Sequence, residues 1–163
     1  RDMTVDSSGK LFVAGYKTGL FRSADGGENW VNANKGFENF SDSLTFNRLE
    51  LNPAQKDSLF WISKYGILRS NDAGETWTDI KLLTPPGSVN IYAFAVNPKN
   101  QNEMYYTGTI LSEKQQNVRS TLYKSVDGGV NWVTKKLPTN TIPVELRVHP
   151  DNGKVLFLGF TTL

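Results

Sequence analysis

Short runs in which apolar and polar residues alternate recur along the chain, each closed by a turn signal, and no segment carries a helical stripe. Leu49-Glu-Leu51, Phe94-Ala-Val96 and Leu146-Arg-Val148 stop at Asn52-Pro53, Asn97-Pro98 and His149-Pro150. Period-two alternation ended by such a turn predicts a half-buried β-strand. Beyond each polar turn a second strand is expected, over residues 59–62, 104–107 and 155–159. Third strands are expected over 19–22, 67–69 and 121–124, and a fourth begins at Trp30, Trp77 and Trp132. The chain opens with a short strand over 3–5, where Asp6-Ser7 replaces the Asn-Pro turn. Four short strands in every ~45–50 residues is the content of one propeller blade.

Between the third and fourth strands one phrase returns three times. Ser23-Ala-Asp25-Gly-Gly27-Glu-Asn29-Trp30, Ser70-Asn-Asp72-Ala-Gly74-Glu-Thr76-Trp77 and Ser125-Val-Asp127-Gly-Gly129-Val-Asn131-Trp132 share the frame Ser-x-Asp-x-Gly-x-(Thr/Asn)-Trp. Their aspartates lie 47 and 55 residues apart, the spacing of a repeat array. Asp suits the start of a turn because its carboxylate accepts backbone N–H groups further on. The residue before the last glycine varies (Gly26, Ala73, Gly128), so Gly27, Gly74 and Gly129 alone are expected at a left-handed position. Each tryptophan is expected to wedge into the core, a burial worth at most ~4–6 kcal/mol.

The phrase resembles the Asp box, or BNR repeat, of sialidases, xyloglucanases, sortilin-type receptors and photosystem II assembly-factor-type proteins. That resemblance implies an all-β fold, a β-propeller of four-stranded antiparallel blades. The chain would supply about three and a half of them: blade 1 over about 1–35, blade 2 over about 44–82, blade 3 over about 90–137 and part of blade 4 over about 143–163. Open blade faces and strand edges are costly, so the expectation is a segment of a larger propeller (1–163), with closure by another chain as the alternative. These families include enzymes, receptors and assembly factors, so the box predicts fold rather than activity.

In a four-stranded meander the Pro turns and boxes share one face, and the remaining connections share the other. The second face holds the irregular loops 16–18, 34–43, 64–65, 83–90, 111–120 and 138–143, and variable loops on a rigid scaffold are where binding lives. Phe37, Phe40, Tyr65 and Arg119 are its binding candidates. Phe37 and Phe40 would either stack on a ligand or fold back onto the blade, and the 111–120 stretch is either a ligand-contacting loop or a tolerated insertion. The box residues Ser23, Asp25, Gly27, Trp30, Ser70, Asp72, Gly74, Trp77, Ser125, Asp127, Gly129 and Trp132 read as structural.

Composition narrows the chemistry. Eighteen basic against sixteen acidic residues in 163 give a net charge of +2 without any charged run, so nothing points to nucleic acid. No apolar stretch reaches the ~18 residues of a bilayer span. Cysteine is absent and His149 is the one histidine, standing where the other blades have Asn52 and Asn97. It reads as a turn residue, and neither a metal site nor another cofactor is expected. Each box offers one carboxylate, too few for calcium. Glycoside hydrolysis needs two carboxyl groups ~5–10 Å apart; Glu50, Glu145 and Asp42 are the candidates. Arg22 and Arg69 adjoin boxes, with Lys124 at the matching place, which suggests rim pairing rather than a carboxylate-binding cluster.

Two functions remain. By family resemblance the chain is extracytoplasmic (secreted, periplasmic or at the cell surface), a non-catalytic scaffold that binds a protein or glycan partner through its variable-loop face. The alternative is part of a glycan-active enzyme resembling sialidases or xyloglucanases.

Overall fold

A computed structural model describes residues 2–111 and 118–162. The order along the chain is β1 (Asp2–Val5), β2 (Leu11–Gly15), β3 (Gly19–Ser23), β4 (Val31–Asn32), a 3-10 turn (Phe37–Asn39), β5 (Phe46–Leu51), β6 (Leu59–Ser63), β7 (Ile67–Ser70) and β8 (Thr78–Asp79). There follow β9 (Asn90–Asn97), β10 (Asn100–Leu111), β11 (Val118–Ser125), β12 (Val133–Lys136), β13 (Ile142–Val148) and β14 (Leu156–Thr161). They form three four-stranded antiparallel meanders, β1–β4, β5–β8 and β9–β12, and the hairpin β13–β14. This is a partial β-propeller. The chain divides into two compact units, Arg1–Ile80 and Lys81–Leu163.

In the first unit the period-two pattern sends alternate residues to opposite faces of each sheet. Phe12, Ala14 and Leu20 of the first blade form one core cluster with Leu49, Leu59, Trp61, Leu68 and Trp77 of the second. Phe37 and Phe46 join it, with ring centroids 5.0 and 4.4 Å from Trp61. The Trp61 indole donates to the Ser43 carbonyl at 2.7 Å, so the largest apolar group here also has its polar atom satisfied. The second unit repeats the scheme. Ala93, Ala95, Tyr105 and Leu122 pack with Leu146 and with the half-buried Val148, Leu156, Leu158 and Phe160 of the hairpin. Burial pushes the Tyr106 phenol up to about 12, and its ring stacks flat on Tyr123 at 4.4 Å. The expected 111–120 loop has its middle, 112–117, outside the described residues.

The boxes are hydrogen-bonded locks of one design. In each, the serine hydroxyl accepts the glycine N–H four residues on (2.9, 2.8 and 2.9 Å) and donates to the aspartate Oδ1 (2.7, 2.7 and 2.8 Å). That aspartate oxygen also accepts the N–H of Asn29, Thr76 or Asn131 at 2.9 Å. Its second oxygen takes the side chain of the same residue. Asp25 and Asp127 are therefore held at about 2, below the ordinary 3.8, chiefly by the N–H and amide of Asn29 and Asn131 and then by the serines. For Asp72, partial burial works in the raising direction, but Thr76 and Ser70 prevail and its pKa is also lowered.

Two expectations need correction. Both residues of the turn are left-handed, not the last glycine alone: Gly26, Ala73 and Gly128 have φ of 74°, 57° and 76°. Ala73 bears the strain because its N–H is held by the Asp57 carbonyl at 2.7 Å and its carbonyl by Arg22 at 2.8 Å. Gly74 is fixed twice, since at φ 88° a Cβ would also stand 3.0 Å from that of Ala33. The tryptophans, moreover, do not all wedge into the core. Trp77 is buried and donates to the Ala33 carbonyl at 2.8 Å, beyond the last strand of the preceding blade. Trp132 donates likewise to the Lys81 carbonyl at 2.9 Å and meets Tyr106 edge-on. Trp30 turns back to the Gly27 carbonyl of its own box and stays 42% exposed. Of the three box indoles only Trp77 is buried, with the exit of the first blade beneath it.

Trp77→Ala is therefore expected to lower unfolding free energy by ~3–5 kcal/mol in chemical denaturation, and Trp30→Ala by less than ~1 kcal/mol. The depressed box carboxyls stabilise the fold fully above the ordinary carboxylate pKa, and that contribution is lost as pH falls through about 2. Denaturation midpoints measured from about pH 6 to about pH 2 should thus decline at the acid end. The decline should be shallower in Asp127→Asn.

Candidate functional site

Backbone hydrogen bonds separate the two ends of the first unit. At one end the turns after β5 and β7 are tied, Ala73 N–H to the Asp57 carbonyl, and Lys10 is ion-paired with Asp57. At the other, the β2–β3 and β6–β7 loops are pinned to the linker between the blades. Lys17 donates its N–H to the Leu44 carbonyl at 2.8 Å and Lys64 to that of Thr45 at 2.9 Å. The linker folds as the 3-10 turn, held by the Ser43 hydroxyl on the Phe37 carbonyl at 2.8 Å and by the Glu38 carboxylate on the Gly36 N–H at 3.0 Å.

This second end carries a groove of about 580 Å³ lined by Lys17, Asn34, Phe37, Phe40, Asp42 and Leu44, among others. Its floor is apolar and its rim mixed. Lys64 and Asp42, both half-exposed, form an ion pair of 3.2 Å at the rim, the kind of surface pair worth little in itself. The Asn34 Oδ1 is buried and has no hydrogen-bond partner among the described residues. Phe40 packs on Tyr65 with centroids 5.1 Å apart, and the Tyr65 hydroxyl donates to Asp79 at 3.2 Å.

Of the four binding candidates, Phe40 and Tyr65 stand together as a half-buried aromatic pair. Phe37 does not offer itself to a ligand: it is 2% exposed, wedged between Trp61 and Trp77 at 5.0 and 5.2 Å. A polar loop hid this, because one helical turn points Phe37 inward past hydrophilic neighbours. Arg119 belongs to the second unit, exposed on β11 opposite Ile110. Lys17, Asn34 and Leu44 line the groove without any sequence mark. Lys17 is there because its loop turns through φ 63°, a geometry that its residue type does not announce.

The acidic candidates are all engaged. Glu50 pairs with Arg48, Glu145 with Arg147 at 2.5 Å, and Asp42 with Lys64. His149 serves its turn: Nδ1 accepts the N–H groups of Asp151 and Asn152 at 3.1 and 3.2 Å. Asn52, Asn97 and Asp6 accept the N–H two residues on in the same way. Among the described residues no group of three His, Cys, Asp or Glu side chains could hold a metal ion. In the second unit Glu103 binds Asn97, Tyr105 and Lys124. Partial burial acts to raise the Glu103 pKa, but these partners outweigh it and the net shift is downward.

The solved structures that this chain resembles are propellers. An ancestral GH74 enzyme superimposes with a TM-score of 0.73 at 16% identity, covering 97% of this chain and 21% of that one. The extracellular domain of a hybrid two-component system from B. thetaiotaomicron gives 0.65 at 16%, covering 98% and 18%. YCF48, solved with the D1 peptide bound, gives 0.60 at 14%, covering 97% and 45%. The chain thus spans less than half of each of these three structures. No curated protein matches it. No helix among the described residues is long and apolar enough to cross a membrane. Residues 12–158 match the Sortilin-Vps10 family profile (sortilin, neurotensin receptor 3), and the chain belongs to that family.

Proposed function

We propose that this chain is a non-catalytic, extracytoplasmic propeller scaffold that binds a segment of a protein or glycan partner in the loop-face groove of its first unit. The observation that carries this reading is the groove itself, with Phe40 and Tyr65 at its edge. An apolar floor gains from excluding water. The opposite end has no such opportunity at its boxes, where the polar atoms are consumed by the turn locks. One structural neighbour was solved with a peptide bound and another is an extracellular domain, which supports the same direction. The ion pairing of Glu50, Glu145 and Asp42 counts against an acid–base role for them.

Peptide and glycan arrays probed with the chain should yield ligands whose affinity falls about tenfold or more in Phe40→Ala. Lys64→Ala, at the exposed rim, should change it by less than about twofold. Isothermal titration of both variants checks this, with thermal melting to confirm folding. Turnover of xyloglucan or a sialoside would replace the reading with that of a hydrolase.

A further inference from the structure

Three Asx-Gly pairs occur in the chain: Asp25-Gly26, Asp127-Gly128 and Asn152-Gly153. In such a pair the glycine nitrogen can close on the side-chain carbonyl carbon before it, because no Cβ screens it and its backbone turns freely. Closure needs a leaving group on that carbon, a side chain curled over the next peptide, and a nitrogen not engaged in a hydrogen bond. The box pairs do not meet these needs. Asp25 and Asp127 are drawn forward, their oxygens taken by the serine hydroxyl and by Asn29 or Asn131. Held at about 2, each is a carboxylate with nothing to expel. In the third box the Gly128 N–H is also spent, on the Asn102 carbonyl at 2.9 Å.

Asn152 differs on each count. It is an exposed amide at the head of the turn into β14, where its main-chain carbonyl accepts the Val155 N–H at 3.0 Å. Its Oδ1 accepts the Lys154 N–H at 3.1 Å, which curls the amide carbon back over the Gly153 peptide. That donor also sits where negative charge gathers when the carbon is attacked. Among the described residues the Gly153 N–H donates no hydrogen bond. Four other asparagines curl in the same way, each onto the N–H two residues on. Asn52 and Asn97 precede prolines, which have no N–H to lose. After Asn32 the Ala33 N–H is bonded to the Leu20 carbonyl at 2.8 Å, and after Asn100 the Gln101 side chain screens the nitrogen. Packing retains the glycine: a Cβ on Gly153 would stand 2.1 Å from Nδ2 of Asn97, an amide itself held by Glu103 and the Lys99 N–H.

We infer that Asn152-Gly153 is a covalent modification site, at which the native turn converts spontaneously to aspartyl and isoaspartyl forms. The Gly153 nitrogen gives its proton to solvent base and bonds to Cγ of Asn152. Nδ2 takes up a proton and leaves as ammonia, closing a five-membered imide. Water then opens the ring. Attack at Cγ breaks the new bond and yields aspartate; attack at the main-chain carbonyl breaks the original peptide bond and yields isoaspartate. The net change is amide plus water to carboxylate plus ammonium, with no redox step. Aspartate keeps an acceptor for the Lys154 N–H, as Asp6 does for Ser8 in its own turn. Isoaspartate adds a methylene to the main chain, which shifts the acceptors of Lys154 and Val155 and lifts Gly153 from its seat on Asn97. The inference does not depend on the loop-face groove.

The folded chain, kept in mildly alkaline buffer made with heavy-oxygen water, should take up one heavy oxygen at residue 152, read by peptide mass mapping. It should also become a methyl acceptor for an isoaspartyl carboxyl methyltransferase supplied with labelled S-adenosylmethionine. Reaction at Asn152 should run on the order of tenfold or more faster than at Asn32 or Asn100. It should stay within about tenfold of the rate in the same chain unfolded in urea, because the native curl already holds the reacting atoms together. Asn152→Gln, whose longer side chain closes a less favourable ring, should remove both signals. Heavy oxygen that enters residue 152 only in urea overturns the inference, because the native turn then protects the amide. Equal uptake across the asparagines overturns it as well, as does methyl acceptance that survives Asn152→Gln.

Discussion

A single short hydrogen-bonded lock governs how this polypeptide turns. The serine hydroxyl holds the glycine N–H with one lone pair and gives its proton to the aspartate, which collects the next N–H and a side-chain donor. Consecutive left-handed residues, each strained for an ordinary side chain, become a stable corner. In the second box the corner's output is directional: it launches the last strand with the Trp77 indole aimed sideways at the first blade. Local turn chemistry is thereby converted into long-range packing, and the bond from Trp77 to Ala33 spans 44 residues of sequence.

The architecture was legible for that reason. Box spacing and period-two alternation specify the strands, and their fourfold grouping specifies the meanders; none of these depends on distant context. What escaped was whatever the neighbour decides. Trp30, Trp77 and Trp132 occupy identical frames, yet their burial differs because it is set by the surface beneath them. Phe37 and Phe40, three residues apart in a polar stretch, separate for a related reason. The 3-10 turn directs the first between Trp61 and Trp77, and the second remains beside Tyr65. No periodicity in the sequence distinguishes them.

The turn at the end of each first strand shows the opposite case, in which position overrides residue type. Asp6, Asn52, Asn97 and His149 differ in charge and shape but share one acceptor atom at one distance from the backbone. Selection of an acceptor rather than of a chemistry explains why the lone histidine carries no catalytic signature. Arg22, adjoining the first box, is similar: it is spent on joining blades, closing an ion pair across them.

In the first unit the boxes themselves are saturated by their own hydrogen bonds, and the other end carries the open groove. There the linker between blades has to cross the top of the core without strand partners. It does so by a helical turn, left-handed residues at Gly36 and Asp42, and a buried amide oxygen left without a donor. Such an arrangement costs stability. It persists because the sheets below are fixed independently by the locks and the indoles, so the loop end can vary without endangering the fold. The repeat fixes the scaffold, and the linker shapes the groove at its loop end.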